Sequence, residues 1–240
     1  MTNKNRIILF FLLIIGNVYS QKSFVASELK KARMAYLSSE NFSADVKVIT
    51  YKTPTQQNGE PLGIGLIRKS KKGYYSKYLD DEMISNDHCT VVIDHYGKDV
   101  TYLESETSFF SSSFMKMMPS SDSLFKSTDS VLYKGIENNN EHFIFKSKHA
   151  AINRIDMYLG FKDHFIKKII YYYAPSDRQN KYDMYKVEIT YENIRLDKVN
   201  NSWFSENKIL AYSKGKPVLQ TAYSSYKLKI GETYKEHPLK

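Results

Sequence analysis

The 240-residue sequence predicts an α+β fold, mainly antiparallel β, on three observations. Apolar and polar residues alternate with a period of two over most of the chain from Phe42 onward, the signature of half-buried strands. A three-and-four spacing of apolar residues occurs near the N-terminus, before the strands begin. Midway, residues 106–130 interrupt the alternation with a stretch rich in Ser, Met and Phe.

Taken in order, the first element is a segment expected to be removed. Lys4 and Arg6 precede an apolar run, Ile7 to Ile15, and Val18-Tyr19-Ser20 ends in a small residue before Gln21. That layout is the one of a cleaved secretory signal, because spanning a bilayer takes about 20 apolar residues. Residues 1–20 are therefore expected to be cleaved, leaving residues 21–240 as a single exported, soluble domain. The sole cysteine, Cys89, lies far from the cut, so neither an acyl anchor at the cleavage site nor a disulfide is expected. Residues 21–240 carry 33 basic against 26 acidic residues, spread along the chain rather than blocked. Such a surplus suits an acidic partner or an anionic lipid surface; no nucleic-acid motif accompanies it, and nucleic acid is excluded as a partner.

Val25, Leu29, Ala32 and Tyr36 form one stripe of a helix that ends near Ser38-Ser39, with Glu28, Lys30, Lys31 and Arg33 placed off it. Strand periodicity follows at Phe42, Ala44, Val46 and Val48. Residues 53–63 have the Pro, Gly and amide content of a loop. An antiparallel meander is expected next: Ile64 to Lys69, Tyr74 to Leu79, Met83 to Ser85, Thr90 to Asp94 and Val100 to Glu104. Within residues 106–130, Phe110, Phe114, Met117 and Met118 fall on helical spacing that Pro119 would end. Strands are expected again at Val131 to Ile136, His142 to Ser147, Ile152 to Phe161, His164 to Tyr173, Tyr182 to Arg195, Trp203 to Ile209 and Val218 to Lys229.

Reactive chemistry is sparse. No G-x-S-x-G, phosphate loop, H-E-x-x-H or C-x-x-C motif occurs. His88 and Cys89, adjacent on a strand, point to opposite faces and cannot share a metal; His95 sits beside a turn; Asp80, Asp81 and Glu82 read as a solvated turn. No catalytic residue, metal ligand or cofactor is assigned, and the chain is expected not to be an enzyme.

The strand His164 to Tyr173 is different, because it is apolar on both sides. Phe165, Ile169, Tyr171 and Tyr173 face one way, and Ile166, Ile170 and Tyr172 the other. A strongly curved sheet satisfies such a strand if its concave face holds helices or a ligand; an ordinary filled core is the other reading.

The order of elements, with "GLIRKSKKGYYSKYLDDEMISNDHCTVVIDHYGKDVTYLE" at residues 65–104, resembles the LolA-like proteins, the periplasmic lipoprotein carriers and their relatives. In that pattern a strand opening with a small residue and ending in basic residues corresponds to Gly65 to Lys69. An aromatic strand corresponds to Tyr74 to Tyr78, a short step to Met83 to His88, and the following strand to Thr90 to Tyr96. Three positions depart from it: Lys69-Ser70 stands for arginine-proline, Asp87-His88 for Asp-Gly, and Val92 for a tryptophan. The resemblance implies a half-open barrel with an N-terminal helix and a short helical lid on the concave side. It implies an apolar lining drawn from Val46, Val48, Leu66, Tyr74, Tyr78, Val91 and Ile93, and from Met157, Tyr171, Tyr173, Ile189 and Tyr191. It further implies a lid carrying Phe110, Phe114, Met117 and Met118, closed by contacts from Arg68 and Lys69. The expected partner is a lipid acyl chain or lipoprotein, taken up by a monomer in the cell envelope. The alternative is an envelope interaction or sensor module whose concave face is self-filled and whose basic surface docks a protein partner.

Overall fold

The computed structural model describes residues 3–104, 121–147, 151–174 and 184–231. Helix α1 (Asn3–Ser38) runs into β1 (Phe42–Tyr51), where Phe42, Ala44, Val46 and Val48 are buried while Lys47 between the valines is exposed. The meander is β2 (Glu60–Ser70), β3 (Gly73–Tyr78), β4 (Asp81–Asn86), β5 (Cys89–Asp94) and β6 (Asp99–Glu104). A short helix α2 (Ser121–Lys126) precedes β7 (Ser130–Glu137), β8 (Asn140–Lys146), β9 (Ile152–Gly160), β10 (Ile166–Tyr173) and β11 (Lys186–Arg195). A small hairpin, β12 (Leu210–Ser213) with β13 (Lys216–Leu219), and β14 (Lys227–Ile230) complete the strands. The main sheet has the order β14-β6-β5-β4-β3-β2-β1-β11-β10-β9-β8-β7 and does not close on itself. Its hairpin ladders are antiparallel; β14 adds to β6 in parallel. Among the described residues no helix is long and apolar enough to cross a membrane.

The chain divides into two compact units. The first comprises Met1–Ser38, Ile49–Glu60 and Pro119–Thr190, and the second Ser39–Val48, Pro61–Met118 and Tyr191–Lys240. In the first, directly opposed residues share a face, so Tyr133, Phe143, Met157, Ile169 and Ile189 form one row across the strands. Val131, Phe145, Ile155, Tyr171 and Val187 form the next row on that face. The buried stripe of α1 covers it: Val25, Ala32 and Tyr36 are inaccessible, and the Phe24 ring lies 4.8 Å from Tyr133. Tyr36 sets its ring edge-on to Phe165 and its hydroxyl accepts from the Ile166 amide at 3.2 Å. A bulge between Tyr133 and Gly135 is taken up by Gly135 at φ +103°, a backbone angle that a side chain would disfavour. The other face is mixed: buried Ile144 and Ile170 oppose buried Asp156, which Arg154 grips with two bonds of 2.6 Å, and His142 stacks on Tyr158 at 4.2 Å.

In the second unit, Tyr75, Ile84, Val91 and Tyr102 form one row and Glu82, Ile93 and Val100 the next. Val199, Phe204, Ile209 and Leu210 pack on them, with Trp203 and Tyr223 at the margin. Gly73 lies under this cover: a Cβ there would come within 2.6 Å of the Phe204 Cβ and 2.7 Å of the Ser85 carbonyl, so only glycine admits the approach. Asn86 ties cover to sheet, its amide donating to the Phe204 carbonyl and to Glu206 while its oxygen accepts from the His88 and Cys89 amides.

The structure corrects several expectations. Trp203 to Ile209 is not a strand but two 3-10 turns, Asn201–Phe204 and Glu206–Lys208, because Asn200 and Ser205 turn their side chains onto the amides two residues ahead. Val218 to Lys229 is broken by a third 3-10 turn, Thr221–Tyr223, into the end of β13 and the parallel strand β14. β2 begins at Glu60, inside the expected loop, and Asp81 and Glu82 belong to β4 rather than to a turn.

Candidate functional site

The residues read as an apolar lining fall into separate groups. Met157, Tyr171, Tyr173 and Ile189 belong to the first unit and share the face beneath α1: Met157 and Ile189 both oppose Ile169, and Tyr171 is two residues further along β10. Met157 is buried, whereas Tyr171, Tyr173 and Ile189 remain partly exposed. In the second unit Leu66, Val91 and Ile93 lie on the face that the C-terminal segment covers. Tyr74 and Tyr78 lie on the opposite face, since Tyr74 opposes Ser85, and Ser85 opposes Thr90 rather than Val91. Tyr74 is nevertheless buried, and burial pushes its hydroxyl up to about 12. The structure thus does not bring Tyr74 and Val91 into one lining. Val46 and Val48 are buried on β1, and Tyr191, two residues after Ile189, is partly exposed.

Phe110, Phe114, Met117 and Met118 lie outside the described residues. Arg68 and Lys69, the cations expected to touch a lid, have the following partners among the described residues. Lys69 is buried and its ammonium donates to the Ser39 carbonyl at 2.6 Å, just past the end of α1; burial lowers its pKa. Arg68 donates from Nη1 to the Ala44 and Ile67 carbonyls and from Nη2 to Asp45 at 3.3 Å, with its guanidinium 5.9 Å from the Trp203 ring centre. Asp45 in turn accepts from Asn193 at 2.9 Å, and that bond, with Arg68, holds its carboxyl below the usual range.

The remaining chemistry is unreactive in character. Cys89 is fully buried and its thiol is pushed up to about 12, so it stays protonated and packs as a small apolar group. His88 is exposed beside Asp87, and His95 bridges the Tyr226 hydroxyl at 2.9 Å and Glu82 at 3.2 Å. One group escaped the sequence reading. Glu28, placed there on the wet side of the helix, is buried, and it faces Glu141 and His164. The signal was present: Glu28 follows Val25 by three and precedes Ala32 by four, which puts it on the stripe itself.

No protein-family model and no curated protein matches the sequence. Solved structures with a similar arrangement include an uncharacterised conserved protein from Thermus thermophilus, 6% identical, with a TM-score of 0.46 over 85% of this chain and 98% of that one. They also include a LolA superfamily protein from Nitrosomonas europaea, 9% identical, TM-score 0.31, covering 76% and 98%. A third is the lipoprotein LppX of Mycobacterium tuberculosis, 10% identical, TM-score 0.37, covering 74% and 98%. At these scores the likeness is one of general strand arrangement, and no residue's role follows from it.

Proposed function

We propose that this chain is an exported carrier or binding protein of the cell envelope that takes up lipid acyl chains, free or on a lipoprotein, and that it performs no catalysis. The observation that carries this reading is the partly exposed set Tyr171, Tyr173 and Ile189, on the same face as buried Met157 and Ile169. An acyl chain laid along them would remove further apolar surface from water, at about 0.8 kcal/mol per buried CH₂. Tyrosines suit such a margin, being apolar in body and polar at the tip. The signal-like layout of residues 1–20 supports export, and mass analysis of protein recovered from the envelope should find Gln21 as the first residue.

The direct test is uptake of a fluorescent fatty acyl probe. Wild-type protein should bind it, and Ile189→Glu should abolish binding while the far-ultraviolet circular dichroism stays native, because a partly exposed position lets the carboxylate reach water when no lipid is present. Absence of uptake by the wild type would overturn the carrier reading. A second reading, an interaction module with a self-filled face, is favoured by the second unit, whose apolar face is occupied by its own C-terminal segment.

A further inference from the structure

We propose that Glu28, Glu141 and His164 form a binding site for one divalent transition-metal ion of the zinc class. The three side chains come from α1, β8 and the turn between β9 and β10, all within the first unit. Their ligand atoms lie within 4.8 Å of one another, and His164 Nδ1 is 3.8 Å from Glu28 Oε2. Glu28 Oε2, Glu141 Oε2 and His164 Nδ1 are each shielded from solvent and meet no hydrogen-bond donor among the described residues. The carboxylates are 3% and 4% exposed. Glu141 reaches this position because it opposes Leu159 and so projects from the apolar face of the sheet.

Two buried carboxylates are a heavy burden unless something positive meets them. Lys31 meets one oxygen: its ammonium donates to Glu28 Oε1 at 2.7 Å, from a side chain half in solvent. That contact holds the Glu28 carboxylate with Oε2 turned inward; Lys31 reaches Glu141 only through its field, and burial beside Glu28 raises the Glu141 pKa, so the two carboxyls crowd one site with the Lys31 ammonium at its rim. A cation at the centre of the three donors answers both. An imidazole and two carboxylate oxygens are an N/O set suited to zinc, with a water completing four ligands; calcium takes six to eight oxygens and is not matched here. Zinc bonds of about 2.0–2.2 Å would draw tetrahedral donors to roughly 3.4 Å apart, an adjustment of about 1 Å within the reach of two glutamate rotamers.

His164 adds an independent mark. Its φ of +56° is left-handed, unusual for a side-chain-bearing residue, and such conformations cluster where a side chain must be aimed. The conformation is pinned by the His164 amide donating to the Gly160 carbonyl at 2.8 Å and by Asp163 accepting from the Phe165 amide at 3.1 Å.

The test uses the purified full chain stripped with a chelator. Zinc titration by calorimetry should show one ion per chain with a rise in melting temperature, calcium at equal concentration should give none, and cobalt should give the visible spectrum of a four-coordinate site. Glu141→Gln and His164→Asn should each weaken zinc at least about tenfold with circular dichroism unchanged; asparagine is chosen because it accepts a left-handed backbone. Unchanged zinc affinity in both variants would place the ion on surface histidines such as His88 and overturn the proposal. It would be overturned equally if zinc failed to stabilise the wild type while Glu141→Gln alone raised the melting temperature, the mark of a carboxyl pair sharing a proton. Acyl probe uptake is a separate readout, so loss of either proposal leaves the other standing.

Discussion

The two units cover an apolar sheet face by different means. The first uses a regular helix, whose stripe of Val25, Glu28, Ala32 and Tyr36 carries one charged residue into the buried layer. The second uses an irregular segment of 3-10 turns and a small hairpin, and its buried amide Asn86 finds four protein partners within 2.9 Å. Among the described residues, polar groups under the irregular cover are answered by protein, whereas under the helix three polar atoms meet no donor. A helix satisfies its own backbone, so it brings no spare backbone donors to a buried charge; turns bring several. The irregular cover therefore answers its own polar groups, and the regular one leaves three atoms for something else to meet.

The largest expected effect breaks the second cover. Phe204→Ala should cost about 3–5 kcal/mol in denaturant unfolding, since it empties a site over Gly73 within the buried cluster of Tyr75 and Ile84. Hydrogen exchange should show the loss concentrated in β3 to β5. Next, Asn86→Ala should cost about 1–3 kcal/mol, read as a shift of the denaturant midpoint, because it strands the Phe204 carbonyl, Glu206 and two amides together. In the first unit Tyr36→Phe removes the acceptor of the Ile166 amide and should cost about 1 kcal/mol with faster exchange at that amide. If Asn86→Ala proved milder than Tyr36→Phe, the contrast between the two covers would fail.

The smallest effect is a pH dependence. Asp45 has a depressed carboxyl pKa in the fold, so the stability it contributes is fully present above its unfolded value of 3.8 and lost as pH falls through the lower folded value. Asp45→Asn should flatten the melting temperature below pH 4 in the second unit. The side chain is one-third exposed, so solvent screening keeps the effect within a few tenths of a kcal/mol.

Most strands were legible because each buries one face and repeats every second residue, as at Val46 and Val48 or Val91 and Ile93. Trp203 to Ile209 was not, because its apolar residues look strand-forming while the chain path is decided by local side-chain caps at Asn200 and Ser205. The faces of the candidate lining were only half legible. Alternation pairs Tyr74 with Tyr78 and Val91 with Ile93, but whether the two pairs meet depends on register between strands, which a single residue of offset reverses. Glu28 was misplaced for a different reason: charge was weighed above its helical spacing.

The tie between Asn86 and Glu206 joins residues 120 positions apart in the chain. During synthesis β3 to β6 emerge long before the segment that will shield them, and β6 meets β14 only when Ile230 has been made. Until then the apolar row with the Cys89 thiol stands open to water, and β6 presents an unpaired edge to any other strand. The second unit is thus a late-closing one, vulnerable in proportion to the time between its first strand and its last, and chain termination before residue 227 would leave that edge permanently bare.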